Sequence, residues 1–328
     1  MNEDASLVQE TLVPHNGFIR AVDKIEQCFK YAENSADPIC IALIGESRTG
    51  KTTVLDACLE MHPVTRCDDG LTTPILSVKT PSKPTVKGLV EVMLEAMGDE
   101  QFCTGTENAK TSRLRKLMRD SGTRMVMIDE FQHFFDKGSR KVMHHVADWL
   151  KILVDEMEVA LVVSGLPSCQ AVLEQNEQLM GRFSAPIHMP RFDWQNDALR
   201  NEFIAILGAF NESLQEHYDL PCLNNQNMAF RFYCATGGLF GYLVKILNSA
   251  VVEAIEQKTS MITLDDLAAA HLESTFNKEF ISAEITPFLP DFNVQPTKKV
   301  LQKVSQIGSA NDGIPLAGSG KRKANVRV

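Results

Sequence analysis

The sequence predicts an α/β protein built on a parallel β-sheet, followed by an all-helical domain. Short, wholly apolar runs alternate with amphipathic helical segments up to about residue 191, and helical periodicity alone continues after it. Such apolar runs are typical of strands buried on both faces, and their alternation with helices favours right-handed crossovers between parallel strands. The length of 328 residues also corresponds to about two domains.

The predicted elements follow from apolar spacing in chain order. Residues 1–15 have no clear period and are predicted to form an extended N-terminal arm, and a helix then begins with Asn16 as its N-cap. The apolar runs predict five strands, at residues 39–44, 74–78, 125–128, 159–163 and 186–189. Helical spacing predicts helices between them, at residues 51–61, 85–97, around 114–118 and at 142–153.

These elements divide the chain into four parts. The predicted parts are the arm, an α/β domain, a helical domain and a basic, flexible C-terminal tail, at residues 1–15, 16–191, 192–286 and 287–328. Within the helical domain, Thr263 and Asp266 resemble a capping box. Prolines and a glycine- and serine-containing stretch predict that the tail is flexible.

Composition excludes several classes of protein. A hydrophobic fraction of 44% and a charged fraction of 23% are ordinary for a globular chain, and they exclude a disordered chain, a fibre and a small disulfide scaffold. The net charge is −9, but from residue 296 onward seven basic residues face one acid, so that stretch carries +6 and residues 1–295 carry −15. Net charge averages over surfaces, so an acidic body does not exclude nucleic-acid binding.

Cysteine spacing and the N-terminus predict the compartment. The eight cysteines contain no C-x-x-C pair, and we expect free thiols in a reducing cytosol. The acidic, polar N-terminus lacks the character of a signal peptide, and the apolar runs are shorter than the ~20 residues that span a bilayer. The sequence therefore predicts a cytoplasmic protein without a membrane partner.

The strongest motif joins the first predicted strand to the helix after it. Residues 45–52 read Gly-Glu-Ser-Arg-Thr-Gly-Lys-Thr and match the phosphate-binding loop G-x-x-x-x-G-K-[ST] without a mismatch. In such a loop the backbone amides face the phosphates of ATP, Lys51 reaches the β- and γ-phosphates, and the Thr52 hydroxyl ligates Mg²⁺. The predicted ATP-binding residues of the loop are Gly45, Glu46, Ser47, Arg48, Thr49, Gly50, Lys51, Thr52 and Thr53.

Three further positions follow later strands of the predicted sheet. Asp129 and Glu130 end the apolar run 125–128, at the sheet edge where ligands bind, so we assign Asp129 to ATP and Mg²⁺ binding and Glu130 to activating the attacking water. Ser164 ends the next strand and is predicted to point between these acids and the γ-phosphate. Arg182 precedes the last strand and is predicted to enter a neighbour's ATP site as a catalytic arginine finger, which implies a ring or filament.

These elements, in this order and followed by a helical lid, resemble those of the AAA+ ATPases. The sequence within and between them resembles the TniB/TnsC family of transposition regulators. The similar strings are Ile-Asp-Glu-Phe-Gln-His-Phe at 128–134, Trp-Leu-Lys at 149–151, Val-Ser-Gly-Leu-Pro at 163–167, Gln-Leu at 178–179 with Arg182-Phe183, and Thr-Gly-Gly-Leu-Phe-Gly-Tyr-Leu at 236–243. The resemblance spans residues 32–270. The string at 128–134 includes Gln132 and His133, for which two roles stay open: coupling the acid pair to DNA or coupling it to a neighbouring subunit.

The resemblance implies a bacterial ATPase that regulates transposons with DDE-type transposases, including CRISPR-associated transposons. Such proteins bind ATP, assemble on double-stranded DNA as rings or helical filaments, and link a target-selection protein or CRISPR effector complex to the transposase subunits. One feature departs from the pattern. Many AAA+ lids carry an arginine that senses the γ-phosphate, whereas residues 238–242 contain none and the nearest cation is Lys245.

The cations predicted to contact DNA lie on two loops. Lys79, Lys83 and Lys87 follow the second predicted strand, and Arg140 and Lys141 follow the acid pair. Lysine and arginine bind phosphate without reading sequence, and a ring would repeat these few cations around a duplex. The basic tail is predicted to dock a partner, with DNA contact as its main alternative.

Two other classes of function remain open at this point. One is a helicase loader or initiator-like AAA+ ATPase, and the other is a signalling ATPase whose partners are only proteins. DNA-dependent assembly would separate the second from a transposition regulator. A zinc site at His133, His144 and His145 is disfavoured because no cysteine or carboxylate stands at ligand spacing.

Overall fold

The structure of the protein, a computed structural model, describes residues 7–10, 15–34, 37–67, 70–274 and 285–308. The strands in chain order are β1 Ile41–Gly45, β2 Thr65–Cys67, β3 Gly70–Thr72, β4 Ile75–Lys79, β5 Met125–Asp129, β6 Ala160–Gly165 and β7 Ile187–Met189. Five of them form a parallel sheet in the order β4–β5–β6–β1–β7, and β2 and β3 form a separate antiparallel pair. The predicted parallel α/β core is confirmed.

Helices cover both faces of this sheet. The helices that precede residue 192, including short ones, are α1 Leu7–Glu10, α2 Asn16–Ala32, α3 Lys51–Met61, α4 Val86–Ala96, α5 Glu107–Asp120, α6 His133–Asp136, α7 Arg140–Met157, α8 Gln170–Leu173 and α9 Glu177–Met180, of which α1 packs on the helical domain. Ile41 and Leu43 of β1 pack with α2 and α3, whereas Ala42 and Ile44 point to the other face and pack with α4, α5 and α7. Because successive strand residues face opposite sides, a strand between two helical layers must be apolar at every position.

The helical domain has a hydrophobic core of its own. Its helices are α10 Asp197–Gln215, α11 Gln226–Thr236, α12 Phe240–Gln257, α13 Leu264–Ser274 and α14 Lys298–Val304. Phe203, Phe210 and Phe232 are fully buried in that core. The predicted capping box is confirmed, because the Thr263 amide donates to Asp266 Oδ2 at 2.7 Å and the Asp266 amide donates to Thr263 Oγ1 at 3.3 Å.

Hydropathy gives no single membrane-crossing helix in the described part of the chain. Only α11 and α12 taken together reach the necessary length and apolar composition, and a bend of 107° separates them. The buried apolar residues of these two helices lie in the core of the helical domain.

The N-terminal end differs from its prediction in two ways. In place of an extended arm, Leu7–Glu10 is a helical turn, and Val8 is buried against the core of the helical domain. The N-cap of α2 is His15 rather than Asn16, because the His15 ring nitrogen accepts a hydrogen bond from the Phe18 amide at 3.3 Å. This turn packs on the helical domain because Val8 is apolar, although the segment as a whole is polar in sequence.

The first part of the predicted flexible tail is ordered and packs on the helical domain. Leu301 and Val304, on one face of α14, are buried in the same core as α11. Arg231 of α11 donates to the carbonyl oxygens of Pro287 at 2.8 Å and Leu289 at 2.7 Å. Leu301 and Val304 are three residues apart, so they lie on the same face of α14 and pack on the core together. The prediction of a flexible tail is therefore wrong for residues 287–308. The remainder of the tail lies outside the described residues.

Candidate nucleotide site

The predicted phosphate-binding loop connects β1 to α3 at the carboxyl edge of the sheet. Gly50 has a φ of 92°, in the left-handed region that favours glycine, and it turns the chain into α3. The Thr49 hydroxyl donates to the Glu46 carbonyl at 2.9 Å and closes the loop. No side chain caps α3 at its N-terminus, so the amides of its first turn are available to an anion.

Lys51 is the first residue of α3 and is buried, with 8% of its surface exposed. Its ammonium group donates to the carbonyl oxygens of Gly45 at 3.0 Å and Glu46 at 2.7 Å, so it lies against its own loop. Burial lowers the pKa of Lys51, and the nearby carboxylates of Asp129 and Glu130 oppose that shift. The buried cation and the free helix amides suit a polyanionic ligand, and the two carboxylates suit a divalent cation bound together with it.

Thr52 and Asp129 meet although 77 residues separate them in sequence. The Thr52 hydroxyl donates to Asp129 Oδ2 at 2.8 Å. Asp129 ends β5 and is buried, and its own carbonyl accepts from the hydroxyl of Thr80 at 3.0 Å, which fixes the strand end. A hydroxyl and a carboxylate oxygen at this separation fit one Mg²⁺ ion, which is held in proteins by few side chains together with water and phosphate oxygens.

Glu130 follows Asp129 with a φ of 57°, a left-handed conformation that costs a side-chain-bearing residue free energy. Among the described non-glycine residues, positive φ values occur at Arg48, Glu130, Glu158 and Lys258. Glu158 and Lys258 are helix C-caps, where this conformation is ordinary, whereas Arg48 and Glu130 lie in the site. The Glu130 side chain is about half exposed and receives a hydrogen bond from the amide of Gln132.

Ser164 lies in β6 beside β1 and is fully buried. It shares its face of the strand with Val162, which packs on the α3 side of the sheet. Its hydroxyl oxygen is buried and has no hydrogen-bond partner. A buried polar atom without a partner is costly in a protein interior, so a polar ligand atom within reach would stabilise this hydroxyl.

The helical domain contacts the loop at the start of α12. The Gly241 amide donates to the Arg48 carbonyl at 2.9 Å, and the Arg48 guanidinium carbon lies 4.2 Å from the centre of the Tyr242 ring. Lys245, the nearest cation to this turn in sequence, points elsewhere, because its ammonium donates to the Ser274 carbonyl at 2.9 Å. Arg48 therefore contacts the helical domain directly, whereas Lys245 does not contact the loop.

Arg191 joins three parts of the chain beside the loop. Its guanidinium forms an ion pair with the Glu46 carboxylate and donates to the carbonyl oxygens of Gly237 at 3.1 Å and Ile307 at 3.0 Å. Sequence analysis did not assign this residue a role. Its position just after β7 was the available signal, since polar residues that follow parallel strands gather at the same sheet edge.

Arg182 lies away from the loop of its own chain. Its carbonyl accepts from the Cys40 amide at 2.9 Å, at the amino end of β1, whereas the phosphate-binding loop follows the carboxyl end. Its guanidinium pairs with Asp37 and with Asp155, the latter at 2.5 Å. The structure thus keeps Arg182 out of this chain's own site, and a role in catalysis would require a second subunit.

The cations predicted to contact DNA are exposed. Lys79 ends β4 and is in register with Asp129 on β5, and Lys83 and Lys87 follow on the loop and first turn of α4. Arg140 and Lys141, at the start of α7, line an open groove of about 550 Å³. These positions form two separate exposed clusters.

The three histidines considered as zinc ligands each lie beside a different carboxylate, and the described cysteines are free thiols. His133 lies 3.9 Å from Glu130, His144 lies 3.4 Å from Asp148 and His145 lies 3.2 Å from Glu107, so the three rings have separate partners. The cysteines described as free thiols are Cys28, Cys40, Cys58, Cys103, Cys169, Cys222 and Cys234. Burial raises the pKa of the Cys169 thiol to about 11, although Lys51 opposes this shift.

The strand order β4–β5–β6–β1–β7, with the phosphate-binding loop after β1 and a helical domain in contact with that loop, is the architecture of an AAA+ ATPase. A family model described as "Bacterial TniB protein" matches residues 5–194, which is more than half of the chain. The chain therefore belongs to the TniB family. The match ends where the helical domain begins, so it covers the phosphate-binding loop, the acid pair, Ser164 and Arg182.

Solved structures show the same fold over most of the chain. Cdc6p from Pyrobaculum aerophilum has a TM-score of 0.61 at 14% identity, covering 92% of this chain and 83% of its own. ORC2 from Aeropyrum pernix, in ADPNP-ADP complexes, has a TM-score of 0.60 at 13% identity, covering 86% and 75%. ORC1 from the same organism, in complex with DNA, has a TM-score of 0.59 at 14% identity, covering 94% and 82%. No curated protein sequence matches this chain.

Proposed function

We propose that the protein hydrolyses ATP with Mg²⁺ and that, with ATP bound, it assembles on duplex DNA to regulate transposition. The observation that carries the first part is the Thr52–Asp129 hydrogen bond at 2.8 Å beside the buried ammonium of Lys51. These three groups meet only because the fold brings two distant strand ends together. Membership of the TniB family and the fold shared with nucleotide-bound ORC2 support the same function.

The residues divide the hydrolytic work between them. The loop amides and Lys51 bind the phosphates, and Thr52 and Asp129 would hold Mg²⁺, which would neutralise negative charge on the phosphates. Glu130 takes a proton from the attacking water. The oxygen of that water bonds to the γ-phosphorus, and the bond between the γ-phosphorus and the β–γ bridging oxygen breaks, so that this oxygen leaves with ADP. The Ser164 hydroxyl donates to a γ-phosphate oxygen, which gives this buried group the partner that the protein alone does not provide.

Arg182 supports assembly as part of the proposal. It lies at the opposite edge of the sheet from the loop of its own chain, so it acts as a finger only on a neighbouring subunit. To do so, it leaves Asp37 and Asp155, and binding to a neighbour's phosphate replaces those ion pairs. Subunits joined in this way form a ring or filament.

DNA binding and transposition rest on the family and on the exposed cations. The Aeropyrum ORC1 with this fold is a complex with DNA. Lys79 at the end of β4, Lys83 on the following loop and Lys87 in the first turn of α4 are exposed and would be repeated in every subunit around a duplex. The proposed partners are duplex DNA, further copies of this chain, transposase subunits, and a target-selection protein or CRISPR effector complex.

Assembly is the direct test of this proposal. With ATP or a slowly hydrolysed analogue, we expect cooperative binding to duplex DNA of any sequence, seen as large complexes by gel filtration and as rings or filaments by electron microscopy. Without nucleotide, the complexes should be absent. Monomers under every condition would contradict the scaffold function, and assembly without DNA dependence would favour a signalling ATPase.

Charge-removing variants refine that test. Lys83→Ala and Lys87→Ala should each weaken DNA binding equally on all sequences and reduce the slope of log affinity against log salt by about 0.9. Lys116→Ala is the matched control, because Lys116 is exposed on α5 and belongs to neither cation cluster. An unchanged slope in both loop variants would remove this loop from the DNA interface.

Ser164→Ala should separate stability from activity. Removing a buried hydroxyl that has no partner should leave the free energy of unfolding of the nucleotide-free protein unchanged or raise it by about 1 kcal/mol. ATP hydrolysis should fall roughly tenfold, since a transition-state hydrogen bond is lost. Thermal melting and steady-state hydrolysis measure the two effects, with Ser112→Ala, an exposed serine on α5, as the control. Normal hydrolysis would exclude Ser164 from the site.

An initiator or helicase loader is the second candidate, favoured by the similarity to ORC and Cdc6p structures and to domain III of Thermotoga maritima DnaA at a TM-score of 0.51. Such a protein would prefer one duplex sequence or bind a replicative helicase. Competition between DNA sequences distinguishes the candidates. A strong preference for one sequence would support the initiator. A transposase gene next to this gene would support the transposition regulator.

A further inference from the structure

Gln132 is a buried polar side chain next to Glu130. Only 4% of its surface is exposed, and both ends of its amide group have partners. Its Nε2 donates to the carboxylate oxygen Oε2 of Glu130, and its Oε1 accepts from the Leu166 amide at 3.1 Å. The second bond determines the orientation of the amide, because only this orientation directs Nε2 to Glu130.

The turn that carries Gln132 is docked on the end of β6. The Phe131 amide donates to the Ser164 carbonyl at 2.9 Å. A Cβ atom built on Gly165 would lie 2.4 Å from Gln132 Oε1, so no larger residue than glycine fits there without displacing the glutamine. The strand end that carries the unpartnered hydroxyl of Ser164 therefore also holds the side chain that binds Glu130.

Other neighbours do not restrain the Glu130 carboxylate in the same way. His133 Nε2 lies 3.9 Å from Oε2, beyond hydrogen-bond distance. The Glu130 amide donates to Asp129 Oδ1 at 2.9 Å, which fixes the backbone but not the carboxylate. With a left-handed backbone and a half-exposed side chain, Glu130 depends on an outside group for its direction.

We propose that Gln132 is a positioning residue that holds the carboxylate of Glu130 for hydrolysis and ties it to the β6 strand end that carries Ser164. This inference rests on the proposed function, in which Glu130 accepts the proton of the attacking water. If phosphate binding at Ser164 moves the end of β6, Gln132 moves with it and shifts the carboxylate of Glu130. Gln132 itself does not touch the reacting atoms.

The first test replaces the amide by an apolar group of similar length. Gln132→Met removes both hydrogen bonds and should lower the kcat of ATP hydrolysis roughly 10- to 100-fold, because a misplaced catalytic group loses rate on this scale. The KM for ATP and the Kd for a slowly hydrolysed analogue should change less than about twofold, since the phosphate-binding loop is untouched. Gln178→Met, at an exposed glutamine, is the matched control.

A second variant protects against a folding failure. Gln132→Glu keeps the size of the side chain and the acceptor for the Leu166 amide, but it places a carboxylate against Glu130 in place of a donor. It should bind the analogue normally and hydrolyse slowly. Normal kcat in either folded variant, or a loss of analogue binding that parallels the loss of kcat, would overturn the positioning role.

A double variant shows whether the two residues act together. If Gln132 acts through Glu130, adding Gln132→Met to Glu130→Gln should slow hydrolysis no further, whereas independent structural damage would add to it. Slow hydrolysis in Glu130→Gln with normal hydrolysis in Gln132→Met rejects this inference alone. Normal hydrolysis in Glu130→Gln rejects the proposed function, and with it the role of Gln132.

Discussion

Glu130→Gln is expected to slow ATP hydrolysis roughly 10²- to 10⁴-fold while ATP binding is retained, because the amide keeps the shape of the carboxylate but cannot accept the proton of the attacking water. Assemblies on DNA should persist longer, since the ATP state is no longer converted to ADP. Single-turnover hydrolysis and the lifetime of DNA complexes after removal of free ATP measure the two effects.

The matched control for this substitution is Glu256→Gln, which makes the same chemical change at an exposed position of α12. It should hydrolyse ATP at the normal rate. Normal turnover in Glu130→Gln would remove Glu130 from the role of general base. Loss of ATP binding in that variant would indicate that the left-handed turn at residue 130 supports the loop and not the chemical step.

Lys51→Ala should abolish ATP binding and every activity that depends on it. The buried ammonium is the cation of the phosphate-binding loop, and its removal also leaves the Gly45 and Glu46 carbonyl oxygens without their donor. We expect an affinity loss of at least about 100-fold, which corresponds to about 2.7 kcal/mol. Fluorescent-nucleotide titration measures the affinity, and gel filtration with DNA measures the loss of assembly.

Lys116→Ala, at an exposed position of α5, is the control for the loss of a positive charge. It should bind nucleotide and DNA normally. Because Lys51 is buried beside Asp129, its removal also changes the balance of charge in the site, so the melting temperature of the variant should be compared without nucleotide. Retained ATP binding in a folded Lys51→Ala protein would contradict the assignment of the loop.

Local patterns predicted the parallel sheet and the phosphate-binding loop because both are encoded in contiguous residues. β5 is apolar at each position up to Asp129, and the loop follows a buried strand as its motif requires. The hairpin Thr65–Cys67 with Gly70–Thr72 was not predicted, because its strands are short and carry no alternating apolar pattern. Sequence periodicity needs a longer element than this.

The contacts that determine the fine geometry of the site join distant residues, and a single sequence does not reveal them. The pairing of Gln132 with Glu130 depends on the amide of Leu166, 34 residues further along the chain. Arg191 contacts Ile307 across 116 residues. Helix α14 carries three apolar residues and three lysines, so its charge suggested solvent exposure, while Leu301 and Val304 determined its packing.

The Arg191 contacts give the far end of the described chain a mechanical connection to the nucleotide loop. Ile307 binds the same guanidinium as Glu46, and a Cβ atom on Gly308 would lie 3.1 Å from the Tyr242 ring that stacks on Arg48. The Arg191 side chain and the Tyr242 ring therefore each lie between residues 307–308 and the phosphate-binding loop. Gly308 also has a φ of 72°, and a Cβ atom there would lie 2.7 Å from Leu239 Cδ1, so a side chain at this position would displace the contact between the two segments.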